Sequence, residues 1–355
     1  MKLENSTLVL SKNSDKKGQI LCKCPSNIAI IKYWGKHGVQ LPRNPSISFT
    51  LNNAFTETLL TYRVKENFDN KIDLSFYFEG KENESFKAKQ VKFLNSLLPI
   101  FPFLTQLHIT IESHNSFPHS AGIASSASSM ATLAMCLCTL EVQLFNSDVE
   151  QSDSFFKKAS YIARLGSGSA CRSLYPKMAV WGASPDVEGS SDEYAVPFEH
   201  EMHGVFKTFH DDILIASKGE KSVSSRMGHG LMDNNPFAEP RYAQARSRMS
   251  TLISALKSGD VETFGQICED EAMTLHALMM TNSPWFTLLK PNTLKMIEIL
   301  RGYREDTKLP IYFSLDAGPN LHLLYPQAVE KDVKNLIDNE LRQCCEGGQI
   351  IFDHV

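Results

Sequence analysis

Two hydrophobic periods divide the chain. In its first half, short runs rich in β-branched and aromatic residues recur at Ile28–Tyr33, Ser46–Leu51, Thr58–Arg63, Ile72–Phe78 and Leu107–Ser113, separated by turn-forming residues. That pattern predicts strands. Three stretches interrupt them with helical spacing. Lys87–Leu98 carries Ala88, Val91, Phe93, Leu94 and Leu97 at roughly helical spacing. About Ser125–Leu140 is small or apolar all round, which predicts a helix buried on every side. About Ser154–Leu165 runs into Gly166, a residue suited to the position just past a helix end. In the second half the helical period dominates, over Pro240–Lys257, Val261–Thr281 and Asn292–Arg304. In the middle one Val261, Phe264, Ile267, Cys268, Leu275 and Leu278 form the apolar stripe. Strands are predicted at Ile213–Ala216, Ile311–Leu315 and Leu321–Tyr325, then a helix marked by Val329, Val333, Leu336, Ile337 and Leu341, and a last strand at Gln349–Phe352.

Between the halves, Ser184–Glu201 is polar and acidic, with two prolines and a glycine, and reads as a boundary. The expected division is therefore 1–190 and 191–355, two α+β domains, as a chain of 355 residues would suggest. Thirty-six basic against forty acidic residues give a net charge of −4, which argues against a nucleic-acid binder. Hydrophobic residues at 42% against 21% charged exclude wholesale disorder. The cysteines at 22, 24, 136, 138, 171, 268, 344 and 345 form no C-x-x-C pair and no Cys/His cluster at zinc spacing, so no metal ligand set is expected and the chain reads as reduced and intracellular. The first twenty residues lack the apolar core of a secretory signal, and the apolar run Met130–Leu140 is too short to cross a bilayer. A cytoplasmic protein without membrane contact is the expectation.

Four stretches carry candidate chemistry. Ser116-Phe-Pro-His-Ser-Ala-Gly-Ile-Ala-Ser-Ser-Ala-Ser-Ser129 is a loop of small residues leading directly into the buried helix. Unpaired amides at a helix start, with hydroxyls beside them, suit phosphate oxygens, and Gly122 permits close backbone approach. A helix start chosen only for tight packing has the same composition. Pro25-Ser-Asn-Ile-Ala-Ile-Ile-Lys-Tyr-Trp-Gly-Lys36 ends an apolar run with Lys32, Tyr33 and Lys36, donors for a polyanion or ordinary surface lysines. Arg164-Leu-Gly-Ser-Gly-Ser-Ala-Cys-Arg172 alternates serines with glycines before an arginine, an arrangement for a carboxylate or phosphate, or a flexible turn. Ile311-Tyr-Phe-Ser-Leu-Asp-Ala-Gly-Pro-Asn320 ends a strand at an aspartate, which is either a carboxylate held for a ligand or a turn former. A P-loop, a G-x-G-x-x-G after a strand and a G-x-S-x-G elbow are all lacking.

In this order, NIAIIKYWGK, SFPHSAGIASSAS, ARLGSGSACRSLY and DAGPN resemble the motifs of the mevalonate diphosphate decarboxylases, a branch of the GHMP small-molecule kinase superfamily, and they span roughly residues 24 to 320. The resemblance implies an N-terminal domain like the second domain of ribosomal protein S5, a ferredoxin-like C-terminal domain, and an active site between them. It implies ATP with Mg2+ as cofactor, mevalonate 5-diphosphate as substrate, isopentenyl diphosphate, CO2, ADP and phosphate as products, and often a homodimer. Carried onto this sequence, it implies that Ala121, Gly122, Ser125, Ser126, Ser128 and the weaker match Lys221 bind ATP. Asn27, Tyr33, Lys36, Ser167, Ser169 and Arg172 would bind the substrate. Asp316, Arg172 and Lys32 would be catalytic, Asp316 on the tertiary hydroxyl and Arg172 on the carboxylate. The alternative is a kinase or decarboxylase of the same superfamily acting on mevalonate or its monophosphate. Two positions depart from the family pattern: His37-Gly-Val-Gln-Leu-Pro-Arg-Asn-Pro-Ser46, where relatives carry a basic residue and acids, and Ser129, where they often carry glycine.

Overall fold

The computed structural model describes residues 1–355 except 12–13, 119–122, 146–151, 199–200, 220–222 and 224. Two long strands form the spine of its first sheet: β1 (Lys17–Ala29) and β4 (Ser46–Val64). They pair antiparallel from Lys17 opposite Arg63 to Ala29 opposite Ser48, with a register shift between Pro25 and Asn27. Between them lies a small hairpin, β2 (Lys36–His37) with β3 (Leu41–Pro42). The sheet continues with β5 (Asp73–Phe78), β6 (Lys81–Glu82), β7 (Leu107–Asn115), β8 (Met178–Trp181) and β9 (Ala195–Pro197), in the order β6-β5-β7-β4-β8-β9 with β1 also on β4. β5 and β7 are parallel, and parallel strands need a crossover, which α1 (Glu84–Ser96) supplies from its Asn83 N-cap. α2 (Ser125–Phe145) packs against β1 and β4, and α3 (Asp153–Gly166) packs on α2.

Several elements differ from the sequence-based expectation for identifiable reasons. The runs 46–51 and 58–63 are one strand. The exposed Asn52 and Asn53 hide its continuity, and the Asp353 carboxylate accepts the N–H groups of Asn52, Asn53 and Ala54 at 2.7 to 2.9 Å. β1 begins far earlier than Ile28, because its first half alternates exposed and covered residues, and it ends at Ala29, before Lys32. β8 and β9 are too short to announce themselves. β9 lies beyond the expected division at 190/191, and its pairing with β8 carries the first sheet to Pro197. α2 outruns the Met130–Leu140 segment; its 21 residues are long and apolar enough to cross a membrane by length and composition alone. Here its Ala, Cys and Leu side chains are packed in the core beneath β1 and β4, as expected of a helix buried all round. None of the eight cysteines forms a disulfide, and all but the half-buried Cys22 are buried.

The second unit has a four-stranded sheet, β11-β12-β10-β13, built from β10 (Phe209–Leu214), β11 (Tyr312–Leu315), β12 (Leu321–Pro326) and β13 (Ile350–Ile351). β10 starts before the expected Ile213 because two buried carboxylates, Asp211 and Asp212, interrupt its apolar pattern. The helices are α4 (Ser225–Leu231), α5 (Ala238–Ser258), α6 (Val261–Met280), α7 (Pro291–Thr307) and α8 (Glu330–Leu336). Gly259, with φ of 83°, ends α5, and Asp260 then caps α6 through the Thr263 N–H. α6 lies on β11. The units share a core: Phe49 of β4 stands 6.0 Å from Phe209 of β10 and 5.6 Å from Phe264 of α6 between ring centroids. This packing fixes the end of β1 against the end of β11.

Candidate active site

The end of β11 meets the segment after β1. The Lys32 ammonium donates to Ser314 Oγ at 2.9 Å and to Asp316 Oδ1 at 3.1 Å. Lys32 is 2% exposed and Asp316 23%, so the amine is buried while the carboxylate keeps partial access to solvent. Ser314, which no sequence motif singles out, completes the amine's surroundings from the strand that delivers Asp316.

Arg172 closes the 3-10 turn Gly168–Arg172 that follows α3. It is wholly buried, and its Nε, Nη1 and Nη2 donate to Ser48 Oγ at 3.0 Å, Ser46 Oγ at 2.9 Å and Asn27 Oδ1 at 3.3 Å. A guanidinium has five N–H donors, so these bonds orient the fork and still leave donors for a ligand carboxylate. Burial lowers the affinity of Arg172 for its proton, and the charge of nearby Asp316 is among the forces opposing that. Arg172 and Asp316 therefore share one neighbourhood. Asn27, expected on the substrate, instead spends its amide on Arg172, the Ser169 carbonyl at 3.2 Å and Ser173 Oγ at 2.7 Å. Its place is behind the arginine.

Tyr33 packs edge-on to Trp181, 4.6 Å between centroids, and beside His229, at 4.3 Å. Burial raises the phenol's pKa, so it is a protonated donor, and its hydroxyl has no hydrogen-bond partner among the described residues. Gly168 is required beneath it, since a Cβ there would come within 2.9 Å of the Tyr33 oxygen. Gly35, with φ of 102°, turns the chain where a Cβ would collide with Tyr242. Its N–H donates to His229 Nδ1 at 3.0 Å. Burial, aided by the Lys36 charge, pushes the His229 imidazole down to about 3, so it stays neutral and able to accept. Half-buried Lys36 donates to Gln40 at 2.9 Å, and His37 beside it is exposed.

Ala124, with φ of 44°, precedes α2, and Ser26 Oγ donates to the Ile123 carbonyl at 2.7 Å, tying the entering loop to β1. A cavity of about 520 Å³ opens there, within the range of small-molecule sites. Ser125, Ser126, Ser129 and Met130 of α2 form one wall, and Phe76, Phe78, Phe86, Lys89, Gln90 and Phe93 of β5 and α1 form the other. Gln90 Oε1 has no partner among the described residues. The N-terminal end of the helix dipole thus faces a pocket with an aromatic rear and a lysine. Ser126 Oγ lies 3.3 Å from Ser167 Oγ, and Gly166 lines the cavity, so the pocket adjoins the turn bearing half-buried Ser169 and Arg172. Ser128, expected on ATP, is turned inward, 2.6 Å from Thr56 Oγ1 and bonded to the Ser125 carbonyl. Ser129 takes its place on the cavity. The aromatic wall was invisible to motif reading, because ordinary core phenylalanines have the same spacing. Ala121, Gly122 and Lys221 lie outside the described residues. Among the described residues no group of three or more His, Cys, Asp or Glu side chains could hold a metal.

Comparison with known proteins identifies the family to which the chain is similar. Residues 24–195 match the diphosphomevalonate decarboxylase-like N-terminal domain, and residues 212–352 the mevalonate 5-diphosphate decarboxylase C-terminal domain. The chain is 30% identical over 341 residues to the diphosphomevalonate decarboxylase of Ganoderma lucidum, covering 90% of this chain and 81% of that protein. It is 29% identical to the Candida albicans enzyme, covering 88% and 86%. Among solved structures, mevalonate diphosphate decarboxylase from Staphylococcus aureus superposes with a TM-score of 0.79 at 29% identity, covering 96% of both chains. A relative solved in complex with MVAPP, AMPPCP and magnesium gives 0.77 at 29%, covering 96% of this chain and 97% of its own.

Proposed function

This chain belongs to the diphosphomevalonate decarboxylase family, and on that premise we propose that it uses ATP to convert mevalonate 5-diphosphate into isopentenyl diphosphate, CO2, ADP and phosphate. The observation that carries the reading is the Lys32–Asp316 ion pair, with the Arg172 guanidinium close enough for the charge of that carboxylate to act on it.

The substrate's tertiary hydroxyl is a poor leaving group, so the reaction first makes it a better one. Asp316 accepts a hydrogen bond from that hydroxyl and takes its proton as the oxygen bonds to the γ-phosphorus of ATP and ADP departs. Lys32 holds Asp316 Oδ1 in place. The C–O bond then breaks, inorganic phosphate leaves with its electron pair, and positive character grows on the tertiary carbon. The bond from the adjacent CH2 to the carboxylate breaks next, its electrons form the alkene, and CO2 is released. Arg172, braced by Ser46, Ser48 and Asn27, keeps the carboxylate aligned with the departing group. Misplacement by ~1 Å can cost ~10²-fold in such a step.

The triphosphate is assigned to the amides and hydroxyls at the start of α2, with Ser125, Ser126 and Ser129 lining the cavity and Lys89 near the polyanion. The aromatic wall takes the base, whose amino group Gln90 Oε1 can receive. The substrate's diphosphate falls to Tyr33, Lys36, Ser167 and Ser169. Mg2+ fits as a companion of the nucleotide, since no carboxylate cluster is present among the described residues to hold it, and when bound it neutralises phosphoryl charge. A cytoplasmic homodimer completes the proposal.

The test is to incubate the purified protein with ATP and Mg2+ and, separately, mevalonate, its 5-phosphate and its 5-diphosphate. CO2 and ADP should form together with the diphosphate alone. ADP without CO2 would identify a kinase.

A further inference from the structure

One helix grips the backbone of both residues of the Lys32–Asp316 pair. Near the middle of α6, the buried Glu271 carboxylate accepts the Lys32 backbone N–H at 2.9 Å. Farther along the same helix, His276 Nε2 meets the Asp316 carbonyl oxygen at 3.1 Å. Glu271 is itself clamped. Arg241 of α5 donates to both its oxygens, at 2.6 Å to Oε1, and Arg248 adds a bond to Oε1 at 2.9 Å. Arg241 also reaches the Lys32 carbonyl at 3.3 Å, where Asn44 donates at 3.2 Å. The Lys32 peptide is therefore held by a carboxylate at its N–H and by an arginine at its C=O, neither of which belongs to a motif of the site.

The chemistry of Glu271 suits this task. Burial raises its pKa, but the Arg241 charge and the hydrogen bonds from Arg241, Lys32 and Arg248 outweigh that and leave it below the ordinary carboxylate range. It is a permanent anion deep in the protein. A buried ion pair is weak evidence for stability, because desolvating two charges offsets most of their attraction. Two such residues gripping the backbone beside the reacting groups call for another account. Lys32 comes from the first unit and Asp316 from the second, and their 3.1 Å separation must survive any movement between the units.

We propose that α6 is a brace that sets the Lys32–Asp316 distance, with Glu271 (held by Arg241) and His276 as positioning residues that touch neither substrate nor nucleotide. The inference rests on the functional reading above for what the distance accomplishes, but the grip on Lys32 is testable without turnover. The double variant Glu271→Gln, Arg241→Gln puts an amide of the same shape at 271 and a shorter one at 241 and removes both charges, so neither member of the pair is left as a lone buried ion. His276→Phe removes the donor to Asp316, and His276→Gln keeps one.

For the double variant and His276→Phe, kcat should fall by about 10- to 100-fold with KM for ATP and mevalonate 5-diphosphate within about twofold, because a displacement of ~1 Å costs on that scale. His276→Gln should recover most of the loss. In the ligand-free protein, amide hydrogen exchange at Lys32 should quicken in the double variant and stay as in wild type in both His276 variants. Unchanged kcat per folded molecule, or equal losses in His276→Phe and His276→Gln, would overturn the proposal. So would wild-type exchange at Lys32 in the double variant. If the wild-type protein released no CO2, the functional reading would fail and the exchange experiment alone would still decide whether α6 holds Lys32. If the double variant did not fold, the His276 pair would decide it.

Discussion

The Lys32 ammonium and the Asp316 carboxylate form a 3.1 Å ion pair across the boundary between the two sheets. Lys32 lies three residues beyond Ala29, the last residue of β1, where its backbone is bonded to Glu271, Arg241 and Asn44, and Asp316 directly follows Leu315, the last residue of β11. The amine is buried and the acid half-buried, so of the two only the acid is reached by solvent to any extent.

Asp316→Asn keeps the shape of the acid and removes its ability to take a proton. Turnover should fall by ~10²–10⁴-fold, the usual worth of a positioned base, while ATP affinity stays within a few fold. Steady-state kinetics with direct nucleotide titration separates the two, and wild-type turnover would remove Asp316 from the mechanism.

Arg172→Lys keeps the charge and loses the fork. A single ammonium cannot bond Ser46, Ser48 and Asn27 and also present paired donors to a carboxylate, so kcat/KM for the diphosphate substrate should drop by at least ~10-fold. Phosphoryl transfer should suffer less than CO2 release. Equal activity in the two proteins would refute the clamp.

The serines at the start of α2 divide by orientation. Ser125→Ala with Ser126→Ala should raise KM for ATP with little change in melting temperature, because both side chains line the cavity. Ser128→Ala should do the reverse, costing ~0.5–1.5 kcal/mol of stability by removing one of the two side-chain partners of the buried Thr56 hydroxyl, which keeps Asn115 Oδ1, while ATP kinetics persist. The same ATP kinetics in the double variant as in wild type would displace the nucleotide from this helix.

His229 makes stability depend on pH. Its imidazole is pushed down to about 3 from 6.5, so the unfolded chain takes up a proton that the folded protein refuses. This group's stabilising contribution is complete above pH 6.5 and declines as pH falls from there towards 3, by about 1.4 kcal/mol per pH unit. Asp212 acts oppositely. Burial, only partly countered by the Tyr325 hydrogen bond, raises it from 3.8 to about 6, so it favours the folded state as pH drops through that window. The difference between wild type and His229→Gln isolates the histidine. Denaturant unfolding from pH 7 to 4.5 should give a shallower loss in the variant, and parallel curves would show that the imidazole is not held neutral.

What the sequence made legible was the chemistry carried by short motifs. Lys32, Arg172 and Asp316 come from three separate stretches, and their types and surroundings sufficed to nominate them. Their supports were not legible. Ser314 sits in an apolar strand, Glu271 and Arg241 lie on the buried faces of α6 and α5, where each reads only as a charge interrupting an apolar stripe whose partner is unknown, and Asn27 reads as readily toward ligand as toward Arg172. Such roles exist only once distant segments meet. The phenylalanines lining the cavity differ from core phenylalanines by which face of β5 is left uncovered, a property of packing. The single long β4 was hidden because two asparagines in its middle are satisfied by Asp353, some three hundred residues away in sequence.

The most direct measurement is a crystal structure of the Asp316→Asn variant with mevalonate 5-diphosphate and a non-hydrolysable ATP analogue. The tertiary hydroxyl should lie within hydrogen-bond distance of residue 316, the carboxylate on the Arg172 guanidinium, and the terminal phosphate between that hydroxyl and the first turn of α2. A substrate whose carboxylate points away from Arg172, or whose hydroxyl lies far from residue 316, would contradict the account.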